Sequence, residues 1–161
     1  MEGVEGMKKV VVAVDGSEVS KGVIDYALHY AEQEKDADLH FLHVIEPLVS
    51  EPQEQEVILF RWHALSIAPS PEKAQKEFET FLDESVAASG KARPSMSVSI
   101  RVGSAYARIV EFADEIQADM IMIGHRGLGN LQRFFLGSVA AKVVAHAPCS
   151  VYVHRPKPGA K

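Results

Sequence analysis

A chain of 161 residues, 47% of them hydrophobic, is the size of one globular domain with its own core. Its 17 Lys and Arg against 22 Asp and Glu give a net charge of −5, which offers no electrostatic footprint for nucleic acid. No apolar run approaches the ~20 residues of a membrane span, Met1 to Gly6 is too polar and acidic for a secretion signal, and the single cysteine, Cys149, fits a reducing, cytoplasmic setting without a disulfide.

Val10 to Val14 reads as the first strand, bounded by Asp15-Gly16-Ser17. Glu18 to Lys35 follows as a helix, with Val23, Ile24, Ala27, Leu28 and Ala31 forming its apolar stripe. Leu39 to Ile45 is the second strand, ended by Pro47. Ser70-Pro71 opens the next helix, Ser as N-cap and Pro at the first helical position, and Gly90 stops it. Ala74, Phe78, Phe81, Leu82 and Val86 are its expected buried stripe. Met96, Val98, Ile100 and Val102 alternate with polar residues, the mark of a half-exposed edge strand. Ser104 caps a helix running to Gln117, with Ile109, Val110, Ala113 and Ile116 inward. Met120 to Ile123 and Ser150 to Val153 are the last two strands, separated by a helical segment from Val139 to Ala147. Strands alternating with helices imply a parallel sheet covered on both faces, a three-layer α/β/α fold.

Gly124, Gly127, Gly137 and Ser138 form G-x2-G-x9-G-S directly after the apolar strand Met120 to Ile123. Glycine lets a backbone approach a ligand closely, and the helix start at Gly137-Ser138 offers unpaired N–H groups that suit phosphate. The loop from His125 to Leu136 carries Arg126 and Arg133 and no acid, so it tolerates a polyphosphate. A tight strand-to-helix loop with Gly137 as helix entry accounts for the same glycines.

The motif resembles that of the nucleotide-binding universal stress proteins, G-x2-G-x9-G-[S/T], which Gly124, Gly127, Gly137 and Ser138 match without a gap. Val10-Val11-Val12-Ala13-Val14-Asp15-Gly16-Ser17, Leu42-His43-Val44-Ile45 and Ala147-Pro148-Cys149-Ser150-Val151-Tyr152-Val153 are similar to the same family. The resemblance runs from about Lys8 to Arg155, so one domain is expected over 1–161, with tails at 1–7 and 156–161 and a long insert at 47–69. It implies an open five-stranded parallel sheet of order 3-2-1-4-5. Ligands of such sheets bind beyond the strands' carboxyl ends where the order reverses, and that reversal falls between Asp15 and Gly124.

The resemblance further implies bound ATP, with ADP and AMP as alternatives, and Asp15 facing the nucleoside. Turn chemistry explains Asp15 equally simply. Ala13 and Val14 would form the pocket floor, and the backbone of Val44 would read the adenine edge. Gly127, Gly137 and Ser138 would hold the phosphates, with Arg126 as a charge contact and Mg²⁺ riding on the phosphates. Ile123 and Val139, flanking the glycines, complete the expected set. Family members commonly dimerise through the last strand, so a homodimer through Ser150 to His154 is expected, beside an unidentified regulatory protein partner.

The histidines offer little metal chemistry. His40 and His43, three apart on a strand, point to opposite faces, and His29 and His146 lack a second ligand at i+4. His125 reads either as a phosphate contact or as a solvated loop residue. No zinc set and no Ser-His-Asp or Cys-His order stands out, and Cys149 reads as a small packed residue. Within the insert, Val57 to Leu65 is too apolar to lie bare; it would cover the crevice, pack on a second subunit, or pack on the sheet edge. The expected function is an ATP-binding stress-response regulator acting through conformation or a partner. At most it would hydrolyse ATP or autophosphorylate slowly. The alternatives are an adenine-nucleotide-hydrolysing or substrate-activating enzyme and a flavodoxin-like carrier, but Asp15 to Glu18 is too acidic and glycine-poor for their phosphate loop after the first strand.

Overall fold

The computed structural model describes residues 6–46, 70–126 and 136–157. Five strands and four helices alternate: β1 (Lys8–Ala13), α1 (Glu18–Gln33), β2 (Ala37–Ile45), α2 (Pro71–Ser89), β3 (Ser95–Val102), α3 (Ala105–Glu115), β4 (Met120–Gly124), α4 (Ser138–His146) and β5 (Ser150–His154). All strand pairs are parallel, in the order β3-β2-β1-β4-β5. That is the expected three-layer fold.

The central strand explains the layering. Val10, Val11 and Val12 are wholly buried because both faces of β1 are covered, which is why its sequence is continuously apolar. Val10, Val12 and Val14 pack with Val23, Ile24, Ala27 and Leu28 of α1 and Phe78, Leu82 and Val86 of α2. Val11 and Ala13 turn to the other face, against Ile109, Phe112 and Ala113 of α3 and Ala140 and Val143 of α4. Each Val, Ile, Leu or Phe side chain so buried contributes about 1.5–3 kcal/mol.

Edge strand β3 follows its alternation. Met96, Val98 and Ile100 pack on the α1–α2 side, whereas Val102, at the strand's end, is exposed. Among the described helices, α2 has its expected ends, with Ser70 accepting from the Lys73 N–H at 3.4 Å and Gly90 at φ 68°. Phe81 is only half-buried. Helix α3 departs more. Its inward row includes Phe112, with Val110 and Ile116 half-buried, and it ends at Glu115 because Gln117 takes φ 54°. Ser104 occupies the N-cap position of α3 but makes no side-chain cap bond. Glu46 Oε1, at the end of β2, accepts from the Ala105 N–H at 2.8 Å instead.

Candidate functional site

β1 and β4 part company near the middle of the sheet. Their register pairs run Val10 with Met120, Val11 with Ile121 and Val12 with Met122, and end there. β1 stays with β2 as far as Ala13 and Leu42, and the Val14 N–H donates to the Leu42 carbonyl at 2.9 Å. β4 stays with β5 up to Gly124 and His154. The sheet therefore splits beyond Val12 and Met122, where the strand order reverses, and a crevice of this kind is where doubly wound sheets take ligands.

Ala13, Val14 and Asp15 stand on the β1 side of the split. Val14 is buried toward the α1–α2 core, and its carbonyl accepts from His43 Nδ1 at 2.8 Å, so a fully buried histidine pins the end of β1 to β2. Asp15 Oδ1 accepts from the Ser17 N–H at 3.0 Å and from the Ser20 hydroxyl at 2.6 Å. Ser17 in turn accepts from the Ser20 N–H at 3.2 Å, and Gly16 makes the turn at φ 81°. The start of α1 is thus closed by its own side chains. Val44 lies on β2, beyond β1, and buries its side chain with α3.

Ile123, Gly124 and Arg126 stand on the β4 side. Ile123 is core, packed toward α3 and α4. Gly124 has a local reason to be glycine: a Cβ there would lie 2.6 Å from Val19 Cγ1 of α1 and 3.2 Å from the Arg126 carbonyl. Gly137 has another. Its Cβ would lie 3.2 Å from both Arg126 Cα and the His125 carbonyl, and its N–H donates to that carbonyl at 2.7 Å. The two ends of the glycine loop are thus drawn together backbone to backbone. Gly127 falls outside the described residues, as do Arg133 and the 47–69 insert.

α4 starts at the closed loop base. Gly137 is its buried N-cap and brings no side chain to the first N–H groups; Ser138 is exposed and Val139 half-buried. An unclosed helix start next to a strand-end glycine suits an anionic group.

His125 is not a solvated loop residue. It is buried; its N–H donates to the His154 carbonyl at 2.9 Å, and its Nδ1 lies 3.2 Å from the same oxygen. Arg126 Nε donates to His125 Nε2 at 3.0 Å, so that nitrogen carries no proton. Burial first, then the Arg126 charge, hold the imidazole below its ordinary pKa, against the opposing bond to His154. His154 is likewise lowered by burial, with Asp25 opposing. Its ring packs beside Gly22 and Tyr26 of α1. Among the described residues no three His, Cys, Asp or Glu side chains gather as a metal set, and no helix is long and apolar enough to cross a membrane.

A parallel sheet of order β3-β2-β1-β4-β5, covered by helices and split between β1 and β4, defines an open doubly wound α/β domain. The universal stress protein family profile matches residues 6–155, and the chain belongs to that family. A universal stress protein of Methanocaldococcus jannaschii is 31% identical over 150 residues, covering 91% of this chain and 81% of its own. The universal stress protein of Archaeoglobus fulgidus solved with dAMP superposes with a TM-score of 0.59 at 23% identity, over 92% of this chain and 98% of its own. A universal stress protein solved in complex with cAMP superposes with a TM-score of 0.62 at 24% identity, over 92% of this chain and 96% of its own.

Proposed function

We propose that this protein is an ATP-binding regulator of the stress response, working through nucleotide-dependent conformation or partner binding. The observation that carries the reading is the split of the sheet beyond Val12 and Met122, bounded by Asp15 on one side and Gly124 on the other. The relatives in complex with dAMP and cAMP support an adenine nucleotide as ligand. In this reading the phosphates sit at the start of α4, against the backbone of Gly127 and Gly137 and the Ser138 hydroxyl, with Arg126 adding charge and Mg²⁺ on the phosphate oxygens. Ala13, Val14, Ile123 and Val139 border the nucleoside, and the Val44 backbone reads the adenine edge. A carboxylate has about four acceptor sites, so Asp15 can take sugar hydroxyls while Oδ1 serves Ser17 and Ser20.

An enzyme with its phosphate loop after β1 is disfavoured by a specific observation. The start of α1 is closed by Ser17 and Asp15, and Glu18 stands exposed in its first turn. The start of α4 has no such closure from its N-cap.

Ser138→Asp tests the assignment. An acid in the first turn favours the helix but repels phosphate. Calorimetry should show ATP affinity reduced at least tenfold at an unchanged or raised Tm; unchanged affinity would sink the site. The protein would act in the cytoplasm as a homodimer through Ser150 to His154, since β5 is an edge strand and an unpaired edge seeks a partner. Light scattering should give twice the chain mass, and Val151→Pro should return it to the monomer mass.

A further inference from the structure

Four polar side chains meet on the α3 side of the sheet, well away from the crevice. Asp38 and His40 of β2 face Ser95 and Ser97 of β3 through the register pairs Asp38 with Ser95 and His40 with Ser97. His40 Nδ1 lies 2.8 Å from Ser97 Oγ. Asp38 Oδ2 lies 3.0 Å from His40 Nε2, off the N–H axis, so it acts there as a nearby charge more than as a directed acceptor. The Ser95 hydroxyl fixes that carboxylate by donating to Oδ1 at 2.7 Å. Phe112 of α3 meets the imidazole edge-on, with ring centroids 6.5 Å apart. The ring is therefore held from three sides, while Ser97, on an edge strand, is exposed.

The negative charge beside Nε2 favours the proton on that nitrogen. Nδ1 is then an acceptor, and Ser97 O–H donates to it. Hydroxyl, imidazole and carboxylate stand in the order that activates a serine nucleophile. His40 precedes Ile45, the last residue of β2, by five positions, roughly 16 Å of strand. The nucleotide crevice and this cluster are separate places.

We propose that Ser97 is an activated nucleophile that accepts acyl groups from small activated esters. Ser97 Oγ bonds to the ester carbonyl carbon and its proton passes to His40 Nδ1. The bond from that carbon to the alcohol oxygen then breaks, and the departing oxygen takes the proton from His40. The product is an acyl-Ser97 protein and a free alcohol, with no oxidant, metal or second cofactor required. Asp38 stabilises the imidazolium formed between the two steps. Ser99, next in the same row, faces Leu42 and has no imidazole opposite, so it is a built-in control.

The test uses the full chain with p-nitrophenyl acetate, following nitrophenolate release and mapping the acetyl group by peptide mass spectrometry. Acetyl should appear on Ser97 ahead of Ser95 and Ser99. His40→Gln should slow it by about 10²-fold, within the range for loss of a positioned base, and Asp38→Asn by a smaller factor. Equal labelling of the three serines, or an unchanged rate in folded His40→Gln, overturns the proposal. Should His40→Gln fail to fold, Ser97→Ala decides: it should slow nitrophenolate release by a similar factor, and an unchanged rate overturns the proposal as well.

Discussion

The carbonyl of His154 accepts from the backbone N–H of His125 at 2.9 Å and faces its Nδ1 at 3.2 Å, so one oxygen at the end of β5 holds both the chain and the ring that open the glycine loop. Both imidazoles have pKa values lowered by burial. In the unfolded chain they return to the ordinary value of about 6.5. Above that value both states are neutral and the two groups contribute no pH dependence. As pH falls through it, the unfolded state takes up protons first, so stability declines until the folded pKa values are reached. Thermal melts should therefore show Tm falling between pH 7.5 and 5.5. His154→Gln should make the fall shallower; an equally steep fall would exclude His154 as a contributor.

Gly22 lies inside α1, where alanine normally gains about 1 kcal/mol over glycine. A Cβ at this position would lie 2.6 Å from His154 Nε2, so the ring would have to move. The gain should be absent in Gly22→Ala and should reappear when His154→Ala is added. A double-mutant cycle in urea should return a coupling of about 0.5–1 kcal/mol or more. Additive effects would mean that the ring yields without cost.

The element order, the helix stripes and the parallel sheet were legible because each rests on local chemistry: continuous apolar strands, Ser-Pro before α2, Gly90 after it. The glycine pattern was legible too, but its local reasons were not. Gly124 makes room for Val19 and Gly137 for the backbone of 125–126, and both contacts arise only when α1, β4 and α4 pack. The burial of His125 could not be read from the sequence because its partner, the His154 carbonyl, is 29 residues away. The Asp38–His40–Ser97 cluster escaped for the same reason. The spacing of 57 residues between His40 and Ser97 carries no trace of the β2–β3 register that joins them. His43 and His40 do lie on opposite faces, as the strand period requires, with His43 against Phe78 and His40 against Phe112.

Glu46 shows how a cap can come from outside its helix. Its carboxylate accepts from Ala105 N–H at 2.8 Å, whereas Ser104, the N-cap residue, makes no side-chain bond. Losing an N-cap acceptor costs about 1 kcal/mol. Urea denaturation should show Glu46→Ala destabilised by about that amount and Ser104→Ala by a few tenths at most. The reverse ranking would restore Ser104 as the cap.

Gln117 ends α3 in the left-handed region, φ 54°. The Ala118 N–H donates to the Ala113 carbonyl at 2.8 Å, and the Gln117 N–H to the Asp114 carbonyl at 3.0 Å. This paired return is the Schellman arrangement, in which glycine is the usual residue because its backbone takes positive φ without a Cβ clash. Gln117 also donates from its side chain to the Asp114 carbonyl at 2.7 Å, an exposed bond of small net value. The left-handed conformation costs a non-glycine residue roughly 1–2 kcal/mol. Relief of that cost outweighs both the lost bond and the greater freedom glycine has in the unfolded chain. Gln117→Gly should therefore raise stability by about 0.5–1 kcal/mol, read as a higher urea midpoint at unchanged m. Gln117→Val, β-branched at the same position, should lower it. A glycine variant less stable than wild type would mean that the side-chain bond, not the backbone, governs how this helix ends.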